Sequence, residues 1–316
     1  MGPICANLWE KVANKLRVTN PENLDNNQNN PSSAKPGDLD DRLLVNGQAP
    51  KAGDWVTNTK LARTLRAISI QGKAAFYSGP VAEGIVQAVT QRGGFLSLED
   101  LTAHQSTLQD PISVNYHGVD VWEMPPNGQG ITALLALNIL EHLEPQRLAH
   151  NSAEYLHILT EALRLAFADS RWYVADPAFS DVPVAGLLDK KYAKSRAANV
   201  QTGPNAKASV DVKKGSPTLS CDTVSLTCVD RHGHACSFIN SVYTSFGSCI
   251  VPSGLGFALQ NRGCNFSLQD DHPNALAPAK RPYHTIIPGM ATKDGSLYCP
   301  FSVMGGNAWI NTSTSI

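Results

Sequence analysis

The stretch "DTVSLTCVDRHGHACSFINSVYTSFGS", residues 222–248, decides how this chain is read. Val224, Leu226 and Cys228 alternate in it with Thr223, Ser225 and Thr227, the period-two pattern of a strand between an apolar and a polar layer. "ACSFIN" repeats the alternation, and Arg231, His232 and Gly233 fit a three-residue hairpin loop with glycine in the left-handed position. Such a loop pairs residues whose numbers total about 464, which sets Thr223 opposite Ser241 to within one residue. Two hydroxyls then meet at the open end of the hairpin. A threonine hydroxyl is a poor nucleophile for want of a base. Cutting the chain before it would free an α-amino group, pKa about 7.7–8, that can take the hydroxyl proton. Thr223 is the candidate for that chemistry. Cys221, two residues earlier, is a rival nucleophile whose base cannot be placed from spacing.

Upstream the periodicity changes. Residues 18–52 are rich in Asn, Pro, Ser, Asp and Gly and read as a loop or disordered segment. Leu61, Leu65 and Ile68 have helical spacing, ended by Gly72; Pro80 starts a second helix, ended by Gly93-Gly94. Ser97 with Asp100 is a capping signal. Ile112, Val114 and Tyr116, then Val119 and Val121, alternate as a hairpin broken at His117-Gly118. "ITALLALNILEHL" and "SAEYLHILTEALRLAFADSRWYV" are helices, the second capped by Ser152. Downstream of the hairpin, "GFALQN" and "LYCPFSVM" read as further strands. The expected division is a poorly ordered 1–52, a mainly helical 53–222 and a β-rich 223–316, the last two forming one intertwined domain.

Composition bounds the function. The 316 residues, 42% hydrophobic and 17% charged, can bury one large or two modest cores. With 26 basic and 27 acidic residues the formal charge is −1, so no bulk field points to nucleic acid or an anionic membrane, and small-molecule partners are expected. No apolar run approaches the ~18 residues of a membrane span, and the N-terminus lacks a signal-peptide pattern, which points to the cytoplasm. Ala6 stands where a myristoylation signal wants Ser or Thr. The seven cysteines form no CxxC pair and read as reduced thiols. His232 and His234 have no further ligands at metal spacing, so neither a metal nor a cofactor is expected.

A set of motifs in order resembles the γ-glutamyltransferase (glutathione hydrolase) family of N-terminal-nucleophile hydrolases. They are "LLVNGQAPKAGD", "FYSGPVAEGIVQAV", "GGFLSLEDL", "PISVNYHGVDVWEMPPNGQG", "EALRLAFADSRWYVADP", "KRPYHTIIPG" and "VMGGNAW". The hairpin is similar to the start of the family's small subunit, with Thr223, Asp230, Gly233 and Phe246-Gly247 on the matching positions. The resemblance implies an α/β (α+β) fold, an αββα sandwich. It also implies an inactive precursor that cleaves itself between Asp222 and Thr223 into large and small chains that stay associated. Thr223 would then attack a γ-glutamyl amide such as glutathione, form an acyl-enzyme and pass the acyl group to water or an amino acid. Ser241 matches the hydroxyl that assists the nucleophile, and Gly305 and Gly306 match the backbone oxyanion donors.

The chain departs from the pattern where the donor binds. Asn265 stands where many transferases hold the donor's α-ammonium with aspartate, Arg262 where they carry Gln or Glu, and His284-Thr285 replace a serine pair that contacts the carboxylate. Arg262, Asn265, His284 and Thr285 are therefore the candidate substrate-binding residues. They suggest an alternative donor, a dicarboxylic acyl amide without an amino group. Family members also begin with a long segment that nothing before Leu43 resembles, and continue well beyond Gly306. The sandwich is thus expected to be incomplete, with open sheet edges, and a non-catalytic fragment unable to mature alone is the remaining alternative.

Overall fold

His117 and Gly118 both take left-handed backbone, φ 50° and 85°, in the computed structural model, and so close the tight hairpin of β2 (Ile112–Tyr116) and β3 (Val119–Glu123). The structure describes residues 1, 3–18, 38–203, 206–208 and 221–303, in two compact units. Residues 1–107 with 244–261 make one, and 108–243 with 262–316 the other. This division differs from the expected boundaries at 52/53 and 222/223.

The first unit holds α1 (Pro3–Ala13), β1 (Arg17–Val18), α2 (Thr59–Gln71), α3 (Ala74–Tyr77), α4 (Gly79–Thr90) and α5 (Leu98–Ala103), with β6 (Ile250–Val251) pairing parallel to β1. Its helices are capped locally. Asn58 accepts the Leu61 amide at the start of α2, and Ser97 and Asp100 form the full capping box of α5. One expectation fails here and another holds only in part. Leu39, Leu43 and Leu44 lie in the segment read as a loop or disordered and do stand in a loop, yet they are buried with Leu16 and Val251, and Trp9 of α1 donates its indole N–H to the Leu43 carbonyl at 2.8 Å. A few leucines in a polar stretch suffice when a partner surface exists. "GFALQN" forms no strand: Gly256 has φ 76°, with a Cβ position only 2.3 Å from the Leu61 backbone nitrogen, so the chain bends around α2.

The second unit is a four-stranded antiparallel sheet in the order β2-β3-β7-β8, completed by β7 (Ile287–Lys293) and β8 (Ser296–Val303). Helices α6 (Gly130–Leu143), α7 (Ala153–Tyr173), α8 (Val184–Leu187) and α9 (Lys190–Ala197) also belong to it. Val114 and Val121 of the sheet pack on Leu134 and Leu137 of α6, while Ile131, Ala133, Leu135 and Ala136 join Leu163, Ala166 and Ile287. Helix α6 is apolar all round because it is buried all round. The expected nucleophile hairpin is β4 (Cys221–Val229) with β5 (Ala235–Thr244). Its alternation is as read, but Val224 and Leu226 are 71% and 59% exposed while Thr223 and Ser225 are half-buried. The apolar side of this hairpin thus lies in solvent, with no described residue covering it, contrary to the expected apolar layer. Among the described residues no helix is long and apolar enough to cross a membrane.

Candidate active site

The turn between β4 and β5 fixes the register. Asp230 donates its amide to the His234 carbonyl at 2.9 Å, Gly233 has φ 84°, and the Asp230 carboxylate accepts the amides of His232 and His234. At the far end Thr223 Oγ1 donates to Ser241 Oγ at 2.9 Å. Both contacts pair numbers totalling 464, so no net bulge intervenes and the expected hydroxyl pair is formed. Ser241 Oγ also accepts the Tyr243 amide at 2.9 Å. The nucleophile candidate is therefore held by a hydroxyl that is itself held by backbone.

Beyond Tyr243 lie the proposed donor-binding residues. Arg262, only 5% exposed, opens the 3₁₀ turn Arg262–Asn265 and stacks its guanidinium over the Tyr243 ring at 4.7 Å. Its Nη1 donates to Thr285 Oγ1. The Pro-Asn-Gly-Gln loop before α6 clamps the segment that carries Thr285. The Asn127 carbonyl accepts the His284 amide at 2.9 Å, the Gln129 amide donates to the His284 carbonyl at 2.8 Å, and Gln129 Nε2 donates to the Thr285 carbonyl at 3.1 Å. Tyr283 adds its hydroxyl to Gln129 Oε1 at 3.2 Å. Asn274, buried, ties the two sides together by donating to the Asn265 carbonyl at 2.7 Å and accepting the Tyr283 amide at 3.1 Å. The Asn265 amide nitrogen is buried and has no partner among the described residues, so it is a donor awaiting an acceptor.

His284 is neutral. Burial, and then the charge of Arg262, push its pKa down to about 4 from 6.5. Its Nδ1 accepts the Ile286 amide at 3.3 Å, which leaves the ring proton on Nε2. Unfolding restores the ordinary value, so the group contributes stability above pH 6.5 that is lost as pH falls towards 4. His284→Gln, which cannot titrate, is expected to remove about 3 kcal/mol of the acid destabilisation between those pH values, read by urea unfolding at a series of pH. An unchanged acid limb would refute the assignment.

Thr223 and Ser241 thus come together, as do Arg262, Thr285 and His284, with Tyr243 joining the two groups. Gly305 and Gly306 lie outside the described residues, as do the side chains of Cys221 and Asp222. The supporting residues Asn127, Gln129, Tyr243, Asn274 and Tyr283 carry no site role in the sequence reading, although all but Asn274 lie inside the quoted motifs.

The family model described as Gamma-glutamyltranspeptidase matches residues 8–316. The chain belongs to the gamma-glutamyltranspeptidase family. It is 38% identical over 270 residues to the glutathione hydrolase-like YwrD proenzyme of Bacillus subtilis, covering 85% of this chain and 50% of that protein. It is 34% identical over 279 residues to the glutathione hydrolase proenzyme of Escherichia coli K12, covering 84% and 48%. Among solved structures it is similar to the cephalosporin acylase of Bacillus halodurans, with TM-score 0.77 and 35% identity, over 99% of this chain and 54% of that one. This gamma-glutamyltranspeptidase-family chain therefore has the mixed α/β architecture of the N-terminal-nucleophile hydrolases, and it spans about half the length of the curated relatives it matches.

Proposed function

We propose that the chain is the precursor of a γ-glutamyltransferase-type amide hydrolase that cleaves itself between Asp222 and Thr223. The observation that carries this reading is the 2.9 Å hydrogen bond from Thr223 Oγ1 to Ser241 Oγ, at the strand position where the new N-terminus would arise. In the precursor, the Thr223 hydroxyl attacks the Asp222 carbonyl carbon, the C–N bond to Thr223 breaks as the hydroxyl proton passes to the departing nitrogen, and water hydrolyses the resulting ester to the Asp222 carboxyl group and the Thr223 hydroxyl. The freed α-amino group then serves as base. It takes the Oγ1 proton as the oxygen attacks the donor amide, and it returns that proton to the leaving amine. An acyl-threonine ester remains, which water or an amino acid resolves. Gly305 and Gly306, as the resemblance assigns them, hold the oxyanion through backbone N–H groups. The two chains stay associated, because the sheet in which β3 pairs with β7 draws strands from both sides of the cut.

Glutathione and other γ-glutamyl amides are the first donor class, on family grounds and on the names of the relatives. A second class is favoured by the site itself: an acyl group with a terminal carboxylate and no amino group. Arg262 supplies a buried positive charge, His284 is uncharged, and Asn265 offers an N–H where an ammonium would need a carboxylate. The relative named as a cephalosporin acylase is consistent with it. Incubation of the purified chain followed by denaturing electrophoresis tests maturation, and fragments 1–222 and 223–316 are expected. Turnover of γ-glutamyl against glutaryl p-nitroanilide then separates the donor classes, with about a tenfold preference for the glutaryl donor expected if Asn265 and Arg262 set the choice. A γ-glutamyl preference would refute the second class, and an uncut, inactive chain would refute the whole proposal.

A further inference from the structure

Tyr243 lies two residues beyond Ser241 and is 3% exposed. Its φ is 81°, a left-handed value that a bulky side chain rarely adopts and that surrounding packing must enforce. This backbone turns the Tyr243 N–H back onto Ser241 Oγ at 2.9 Å. The same residue presents its ring to Arg262, whose guanidinium carbon lies 4.7 Å from the ring centroid. A ring on one face of a guanidinium leaves its edges to make hydrogen bonds, and one edge reaches Thr285 Oγ1.

We infer that Tyr243 is a positioning residue that joins the carboxylate-binding guanidinium of Arg262 to the Thr223–Ser241 hydroxyl pair, so that donor selection and nucleophile alignment depend on one buried ring. This rests on the proposed roles of Thr223 and Arg262. The ring aims the guanidinium, and its packing holds the unusual φ that keeps the amide on Ser241. A ring that only filled the core would affect stability and active fraction, and leave donor preference unchanged.

The test uses the full chain as wild type, Tyr243→Phe and Tyr243→Leu, with two donors of equal acyl length, glutaryl and valeryl p-nitroanilide. For Tyr243→Leu, the ratio of kcat/KM for glutaryl over valeryl is expected to fall at least about tenfold, through KM for the glutaryl donor, with kcat reduced on both. Tyr243→Phe, which keeps the ring, should stay within about threefold of wild type. An unchanged donor ratio in Tyr243→Leu, or a phenylalanine variant as impaired as the leucine one, overturns the inference. Tyr243→Met is read in the same way if the leucine variant does not fold. A wild-type chain that neither cuts itself nor turns over either donor refutes the proposed function instead. In that case calorimetry with glutarate still decides, since equal affinity in wild type and variant would overturn the arrangement.

Discussion

Thr223→Ala is expected to leave the chain uncut at 33.9 kDa under denaturing electrophoresis and to lower amide hydrolysis by at least about 10⁴-fold. Both effects follow from one atom. Oγ1 is the group that Ser241 holds at 2.9 Å, and no methyl group can attack a carbonyl carbon. The same change removes the hydroxyl needed for chain cleavage, so no α-amino base is generated either. Thr223→Ser separates the steps, because serine keeps the oxygen but loses the methyl group that restricts χ1; slower maturation with retained turnover is expected. If the alanine variant still cuts itself before residue 223, the nucleophile lies elsewhere and Cys221 becomes the residue to replace.

Glu123→Gln is expected to stabilise the protein, by about 3 kcal/mol at pH 7 and somewhat more at pH 8. Glu123 ends β3 and is 2% exposed, and neither carboxyl oxygen has a hydrogen-bond partner among the described residues. It is pressed between two glycines: a Cβ on Gly130 would lie 2.6 Å from Oε2, and one on Gly289 2.9 Å from Oε1. Burial pushes its pKa up to about 8 from 4.5. The folded state therefore holds a proton that the unfolded chain releases, and stability falls as pH rises from 4.5 to 8. Glutamine removes the titration at nearly constant volume. The first turn of α6 stands beside the carboxyl and favours its anion, so the quoted gain is an upper value. Urea unfolding from pH 5 to 8 reads the effect, and parallel curves for the two proteins would refute it.

Local signals proved sufficient wherever the cause is local. The Ser97–Asp100 box, Ser152 and His117-Gly118 each act on backbone within four residues, and each does in the structure what its type predicts. The hairpin register is of the same kind, since the Asp230–Gly233 turn and the period-two pattern carry Thr223 to Ser241 without reference to the rest of the chain. "GFALQN" was misread because a backbone bending around a helix can look like a short strand in one dimension. Leu39, Leu43 and Leu44 were misread because the composition of a stretch says nothing about the surface waiting for its few apolar residues.

The sequence by itself thus determined the family, the hairpin that pairs Thr223 with Ser241, and Arg262, Asn265, His284 and Thr285 as candidates. Only the tertiary structure decided what these residues are. His284 is uncharged because burial and a nearby guanidinium act on it, Arg262 stacks on the ring of Tyr243, and Glu123 is protonated because burial at the end of β3 takes its carboxyl out of water. Charge state and direction depend on what surrounds a group in space, and residues 127, 243, 262 and 284 become neighbours only when the chain has folded.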